Sequence, residues 1–165
     1  MARIVSQRST HHHTGPLVVF LIGMRINRPW RPDLWIPAFA AMPRMLAELS
    51  ADPNSGLLGY RLTIGAGGPL VIQYWKSAEQ LFAYASQPDA AHRPAWAAFN
   101  RRARRAPGSV GIWHETYVVD RAESMYVGMP VAGLAKATAA QLVDANSTAA
   151  ARLGPATHEG SGAET

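Results

Sequence analysis

The chain has 165 residues, 48% hydrophobic and 16% charged, with a formal net charge of +5. That is enough apolar chain for one domain with a real core, and it excludes disorder throughout. It holds no cysteine, which excludes a disulfide scaffold, a thiolate nucleophile, Cys-held zinc or iron–sulfur, and thiolate-ligated haem.

No run reaches the roughly 18–20 apolar residues that cross a bilayer. The best, Leu17 to Ile22, is strand-sized, and Arg25, Ile26, Asn27 and Arg28 follow it rather than a small-residue cleavage site. The expectation is a cytoplasmic protein with no membrane partner. Residues 1–16 read as a flexible polar arm. It carries His11, His12 and His13, three adjacent imidazoles with nothing to orient them on a metal.

Leu17 to Ile26 predicts a strand that is apolar on both faces and so needs cover on both sides. After the loop Asn27–Pro32, the residues Trp35, Phe39, Met42, Leu46 and Leu49 recur at helical spacing. Pro43 inside that stripe predicts a kink or the helix's true start. Asp52, Pro53, Asn54 and Gly56 end it. Leu57–Ile64 and Leu70–Trp75 read as strands joined by a glycine-rich turn, with Val71, Gln73 and Trp75 on one face. Ser77 and Gln80 form an S-x-x-Q capping box ahead of a short helix with Leu81, Phe82 and Ala85 inward. A further helix runs from about His92 to Arg105, with His92, Trp96 and Phe99 on one face. Arg101, Arg102, Arg104 and Arg105 suit the negative end of that helix. With Trp96 and Phe99 pointing inward, they do not read as a specific nucleic-acid surface.

Val110 to Val119 is the last long strand. Val110, Ile112, His114, Thr116 and Val118 face one way; Gly111, Trp113, Glu115, Tyr117 and Val119 face the other. Ser124–Val127 reads as a short fifth strand and Lys136–Val143 as a weak helix; residues 138–165 lie outside the domain, and from about Gly154 the tail Pro155–Thr165 reads as disordered. The order strand, helix, strand, strand, helix, strand is the α+β, ferredoxin-like split βαβ arrangement, an antiparallel sheet with helices on one face, spanning residues 17–137. The doubly apolar first strand then calls for a second sheet from a second subunit. That is a homodimer of the dimeric α+β barrel type, with a pocket inside each protomer between sheet and helices.

Within such a pocket, His114 reads either as a hydrogen-bonded core residue or as an acid/base group, and strand alternation separates it from Glu115 and Tyr117. His92 reads either as a capping histidine or as a ligand to a planar iron cofactor. Trp75 ends a strand and suits a flat aromatic pocket. There is no Walker loop, G-x-G-x-x-G, H-E-x-x-H or G-x-S-x-G.

Gln73-Tyr74-Trp75-Lys76-Ser77, then His92-Arg93-Pro94-Ala95-Trp96 with Phe99-Asn100, then Val110-Gly111-Ile112-Trp113-His114-Glu115-Thr116-Tyr117, and Met129-Pro130 with Gly133-Leu134, together resemble the monooxygenase-like family of dimeric α+β barrels. That family includes a fungal polyketide monooxygenase of the fumagillin pathway. The resemblance covers roughly residues 17–137. It implies a small oxidoreductase acting on an apolar or aromatic metabolite, with or without haem b. Haem-degrading members of the wider superfamily carry a proximal His on the second helix, a Trp at the third strand and an Asn near the end of the first, and His92, Trp75 and Asn27 occupy similar places. On that basis His92 is the expected iron ligand (His114 the alternative), packed by Trp96 and Phe99. His114, Glu115, Asn27 and Trp75 are the expected catalytic or positioning residues. Two alternatives stay open: a haem-dependent lyase of aldoxime or other N–O or N–N substrates, and a ligand- or haem-binding dimer without turnover.

Overall fold

A computed structural model describes residues 2–88 and 92–155, apart from the His92 side chain. The chain forms two units: residues 17–118, and residues 1–16 together with 119–165.

The 17–118 unit is a four-stranded antiparallel sheet with three helices. Strand β2 (Leu17–Ile26) is followed by helix α1 (Pro32–Ala51), strands β3 (Leu57–Gly65) and β4 (Gly68–Trp75), helices α2 (Ala78–Ser86) and α3 (His92–Arg105), and strand β5 (Val110–Val119). The strand order β3-β4-β2-β5 is that of the ferredoxin-like split βαβ fold. Register pairs Val18 with Trp75 and Phe20 with Gln73 across β2 and β4, and Tyr60 with Gln73 across β3 and β4. A single sheet face therefore carries Val18, Phe20, Ile22 and Met24 beside Val71, Gln73 and Trp75. The helices cover this face, and its innermost contacts are Val18, Leu49, Trp75 and Leu81, all under 5% exposed.

Helix α2 begins as its capping motif predicts, with Ser77 Oγ accepting from the Gln80 N–H. Helix α1 runs unbroken through Pro37 and Pro43, so Pro43 is not its start. Proline has no N–H, so the Phe39 carbonyl loses its usual helical donor at this point. On the other sheet face, Gly23 leaves room for the Trp113 indole. A Cβ built at Gly23 would collide with the indole ring atoms.

The second unit overturns the reading of residues 1–16 as a flexible arm. Ser9–His12 form strand β1, paired antiparallel with β6 (Ala139–Leu142), and Val5–Met129 and Ser9–Tyr126 add single bridges. The physical reason is that this strand buries polar rather than apolar groups. Ser9 and Thr10 are buried, the Thr10 hydroxyl donates to the Ser124 carbonyl at 2.7 Å, and His11 Nδ1 lies 2.8 Å from Ser124 Oγ. No hydrophobic alternation betrays such a strand, and its partner lies some 130 residues away in the chain. The weak helix expected over 136–143 is also corrected: helix α4 (Gly133–Ala137) stops at Thr138 and β6 follows. The fifth strand expected over Ser124–Val127 reduces to the single bridge of Tyr126. A further short helix, α5 (Ala149–Leu153), is held by Arg152, whose guanidinium donates to Glu123 and to the Ser147 carbonyl. The tail expected to be disordered lies, beyond residue 155, outside the described residues.

Two outcomes follow. Gly23→Ala is expected to destabilise the 17–118 unit by about 1–3 kcal/mol through overpacking. Adding Trp113→Ala should recover most of that loss in a thermal-unfolding double-mutant cycle, whereas purely additive losses would contradict the contact. Burial, followed by the charge of His13, holds the His11 imidazole below its ordinary range. The unfolded chain therefore binds more protons near pH 6.5, and the stability of the β1–β6 unit should fall as pH drops through that value. His11→Gln should flatten that part of the melting-temperature profile.

Candidate functional site

Between the sheet and α1–α3 of the 17–118 unit lies a cavity of about 380 Å³. Its floor is the helix-side face of β2, β3 and β4: Phe20, Ile22 and Met24, then Tyr60 and Leu62, then Val71, Gln73 and Trp75. Its roof is α1, through Phe39, Met42, Met45 and Leu46, and its side is α3, through Trp96 and Phe99. Helix α1 turns Ala38 and Ala41 toward this space, where side chains of full core size would have filled it. The thioethers of Met24, Met42 and Met45 are unbranched and adaptable and suit a wall that re-forms around a guest.

The cavity is almost wholly apolar. Gln73 is 5% exposed, and its Oε1 accepts from the Trp75 indole N–H at 2.9 Å. Trp75 itself is fully buried and packs its ring 6.2 Å from that of Tyr84. Burial, then the nearby Glu48 charge, pushes the Tyr84 phenol up to about 12, so Tyr84 stays neutral and is a proton holder rather than a base. Trp96 and Phe99 stack at 5.4 Å with rings 20° from parallel, and Trp96 is 48% exposed. The pair thus offers a flat aromatic wall that reaches from cavity to solvent.

The residues singled out from the sequence fall in different places. Trp75, Trp96 and Phe99 line the cavity. The indole N–H of Trp75 is already committed to Gln73, so Trp75 shapes the floor and does not grip a ligand. His114 projects from the helix-side face of β5 and packs 5.6 Å from the Phe20 ring. It is exposed and is not part of the described lining. Glu115 points to the opposite face, where its carboxylate accepts from the Tyr117 hydroxyl at 2.6 Å. That bond, then the carboxylate's charge, raises the Tyr117 phenol. Asn27 is exposed and donates to the Gly108 carbonyl at 3.0 Å, tying the end of β2 to the loop before β5. His92 opens α3, but its side chain lies outside the described residues. Gln73 and Tyr84 were not anticipated as site residues. The signal for Gln73 was there: one amide in an otherwise apolar face between Val71 and Trp75.

Residues 17–134 match the family described as Monooxygenase af470-like, and the chain belongs to that family. The monooxygenase af470 of Aspergillus fumigatus is 28% identical over 141 residues, 76% of this chain and 49% of that protein. The chain thus spans about half the length of this relative. Among solved structures, the aldoxime dehydratase OxdRE with butyraldoxime is similar at a TM-score of 0.56 and 17% identity, over 72% of this chain and 37% of that one. SnoaB, a cofactor-independent oxygenase from Streptomyces nogalater, is similar at a TM-score of 0.41 and 13% identity, over 64% of this chain and 94% of its own. At 17% identity the likeness to the aldoxime dehydratase is one of fold alone.

Haem b needs an axial donor aimed into its slot. The described lining offers no imidazole and no thiolate, its thioethers would serve only opposite a histidine, and Tyr84 is held neutral. The side chain of the expected ligand, His92, lies outside the described residues, at the start of the helix that brings Trp96 and Phe99 to the cavity. Among the described residues no cluster of three or more His, Asp or Glu forms a metal site either, and no helix is long and apolar enough to cross a membrane.

The raised Tyr84 phenol yields a pH outcome. A folded-state value above the unfolded one, near 10, stabilises fully below pH 10 and is lost as pH rises toward 12. Tyr84→Phe should therefore lessen the fall in melting temperature between pH 10 and 12. An unchanged slope would show that the phenol titrates as in water.

Proposed function

We propose that the protein is a small oxygenase that binds a flat, apolar aromatic metabolite in the cavity of its 17–118 unit. The observation that carries this is the cavity itself: about 380 Å³, almost wholly apolar, with the stacked Trp96–Phe99 pair as one wall. Such a site recognises shape and apolar area rather than charge. Membership of the monooxygenase-like family supports oxygen chemistry on the guest.

The reaction that suits this lining is one in which the substrate is its own reductant. An activated ring CH₂ loses both hydrogens, one oxygen atom of O₂ becomes its carbonyl, and the other leaves with those hydrogens as water. The lining contributes exclusion of water and fixed orientation, which preserve a reactive carbanion long enough to meet O₂. His114 stands behind Phe20 and Glu115 on the other sheet face, so the proton of the acidic ring C–H passes to water at the solvent-facing Trp96 end of the cavity.

A homodimer through the open sheet face is part of the same reading. Trp113 and Tyr117 stay 39% and 51% exposed there, beside half-buried Leu21 and Ile72, on the face that α1–α3 leave uncovered. Light scattering at micromolar concentration should give twice the chain mass, and a monomer mass would contradict it.

The test of activity is oxygen uptake with ¹⁸O₂ on aromatic ketones bearing an acidic ring CH₂. One O₂ per substrate and one labelled atom in the product are expected. Product formed equally without oxygen would favour a lyase, and tight binding without turnover would favour a binding protein. Met42→Trp, which fills the cavity from its roof, should reduce turnover at least tenfold while the protein stays folded; unchanged turnover would place the reaction elsewhere.

A further inference from the structure

We infer that Gln73 is the donor with which this cavity grips one neutral carbonyl-type oxygen of its ligand, an inference that rests on the ligand site proposed above. An indole N–H can only donate, so the bond from Trp75 Nε1 identifies the end of the Gln73 amide that receives it as Oε1. The amide is thereby locked in one of its two flips, and its two N–H donors occupy the other end. Among the described residues nothing accepts from that nitrogen. The residue is 5% exposed and lines the cavity, and an amide donor that opens only onto apolar side chains is costly unless an acceptor reaches it.

The surroundings define what that acceptor is. Gln73 is the central residue of the cavity floor, directly opposite Phe20 on β2 and Tyr60 on β3 in the sheet register. A flat ring lying over the floor between these two aromatic residues would bring an oxygen on its rim above the amide. No Lys or Arg lines the cavity among the described residues, so a phosphate or carboxylate would enter without compensating charge. A ketone or its enol is the class that suits a neutral donor. Because the donor belongs to a side chain packed in the sheet, it also holds that oxygen still as electron density builds on it.

The test compares 1-tetralone with tetralin, which differ by a ketone oxygen in place of two hydrogens, using calorimetry. The protein should bind 1-tetralone about three- to tenfold more tightly than tetralin, the value of one neutral hydrogen bond. Gln73→Met keeps the length of the side chain and a weak acceptor for Trp75 but has no donor. It should bind both compounds equally, whatever the shared affinity, and a cooperative thermal unfolding transition shows that the variant is folded. In the unsubstituted protein the infrared carbonyl band of bound 1-tetralone should shift to lower frequency relative to hexane solution. Equal affinities in the unsubstituted protein, a preference that survives Gln73→Met, or an unshifted band overturns the assignment of Gln73 and leaves the apolar site standing. Failure of both compounds to bind overturns the assignment and the ligand site together.

Discussion

The arrangement of the 17–118 unit depends on how one indole is buried. Trp75 has no exposed surface and packs with Val18, Leu49 and Leu81, which join β2, β4, α1 and α2 at one point. Truncating a side chain of this size in a core costs about 3–5 kcal/mol. Its N–H would cost a further ~1–3 kcal/mol if left unpaired, and Gln73 supplies the acceptor two residues back on the same strand. A polar side chain is therefore retained on an apolar sheet face. Beyond this core the facing helix carries alanines, methionines and prolines, close packing thins, and the cavity opens with that amide in its floor.

The two sides of the sheet are thus chemically different. The helix side holds a dry space bounded by aromatic rings and thioethers. The open side holds the Trp113 indole over Gly23 and the Tyr117–Glu115 hydrogen bond. Strand alternation makes this separation unavoidable: neighbours such as His114 and Glu115 cannot serve one site within a single chain.

Much of this was legible in the residues. The doubly apolar run from Leu17, the Leu46–Leu49 stripe, the Ser77 cap and the alternation of β5 follow from local periodicity and capping chemistry, and they suffice for the ferredoxin-like order. The β1–β6 pairing was not legible, because Ser9 and Thr10 are buried by hydrogen bonds to Ser124 rather than by apolar contact. At the site, helical spacing put Trp96 and Phe99 on one face of α3, and both line the cavity, Trp96 with about half its surface exposed. Asn27 was misjudged because chain position near a strand end says nothing of whether an amide ties a loop, as it does to Gly108. Alternation put His114 on a face with Ile112 and Thr116 but left open whether that face meets the helices. Its distance from the cavity depends on how far α1–α3 reach along β5, which no local pattern encodes.

The central claim is that an apolar guest occupies the space between sheet and helices. Methyl-labelled methionine reports on it directly, because Met24, Met42 and Met45 line the cavity while Met125 and Met129 belong to the other unit. Titrating a flat apolar ligand while recording methyl NMR spectra should shift the first three resonances in a saturable 1:1 manner, with ligand-to-methyl nuclear Overhauser effects to each, and leave Met125 and Met129 in place. Shifts confined to Met125 and Met129, or no saturable shift at Met24, Met42 and Met45, would contradict it.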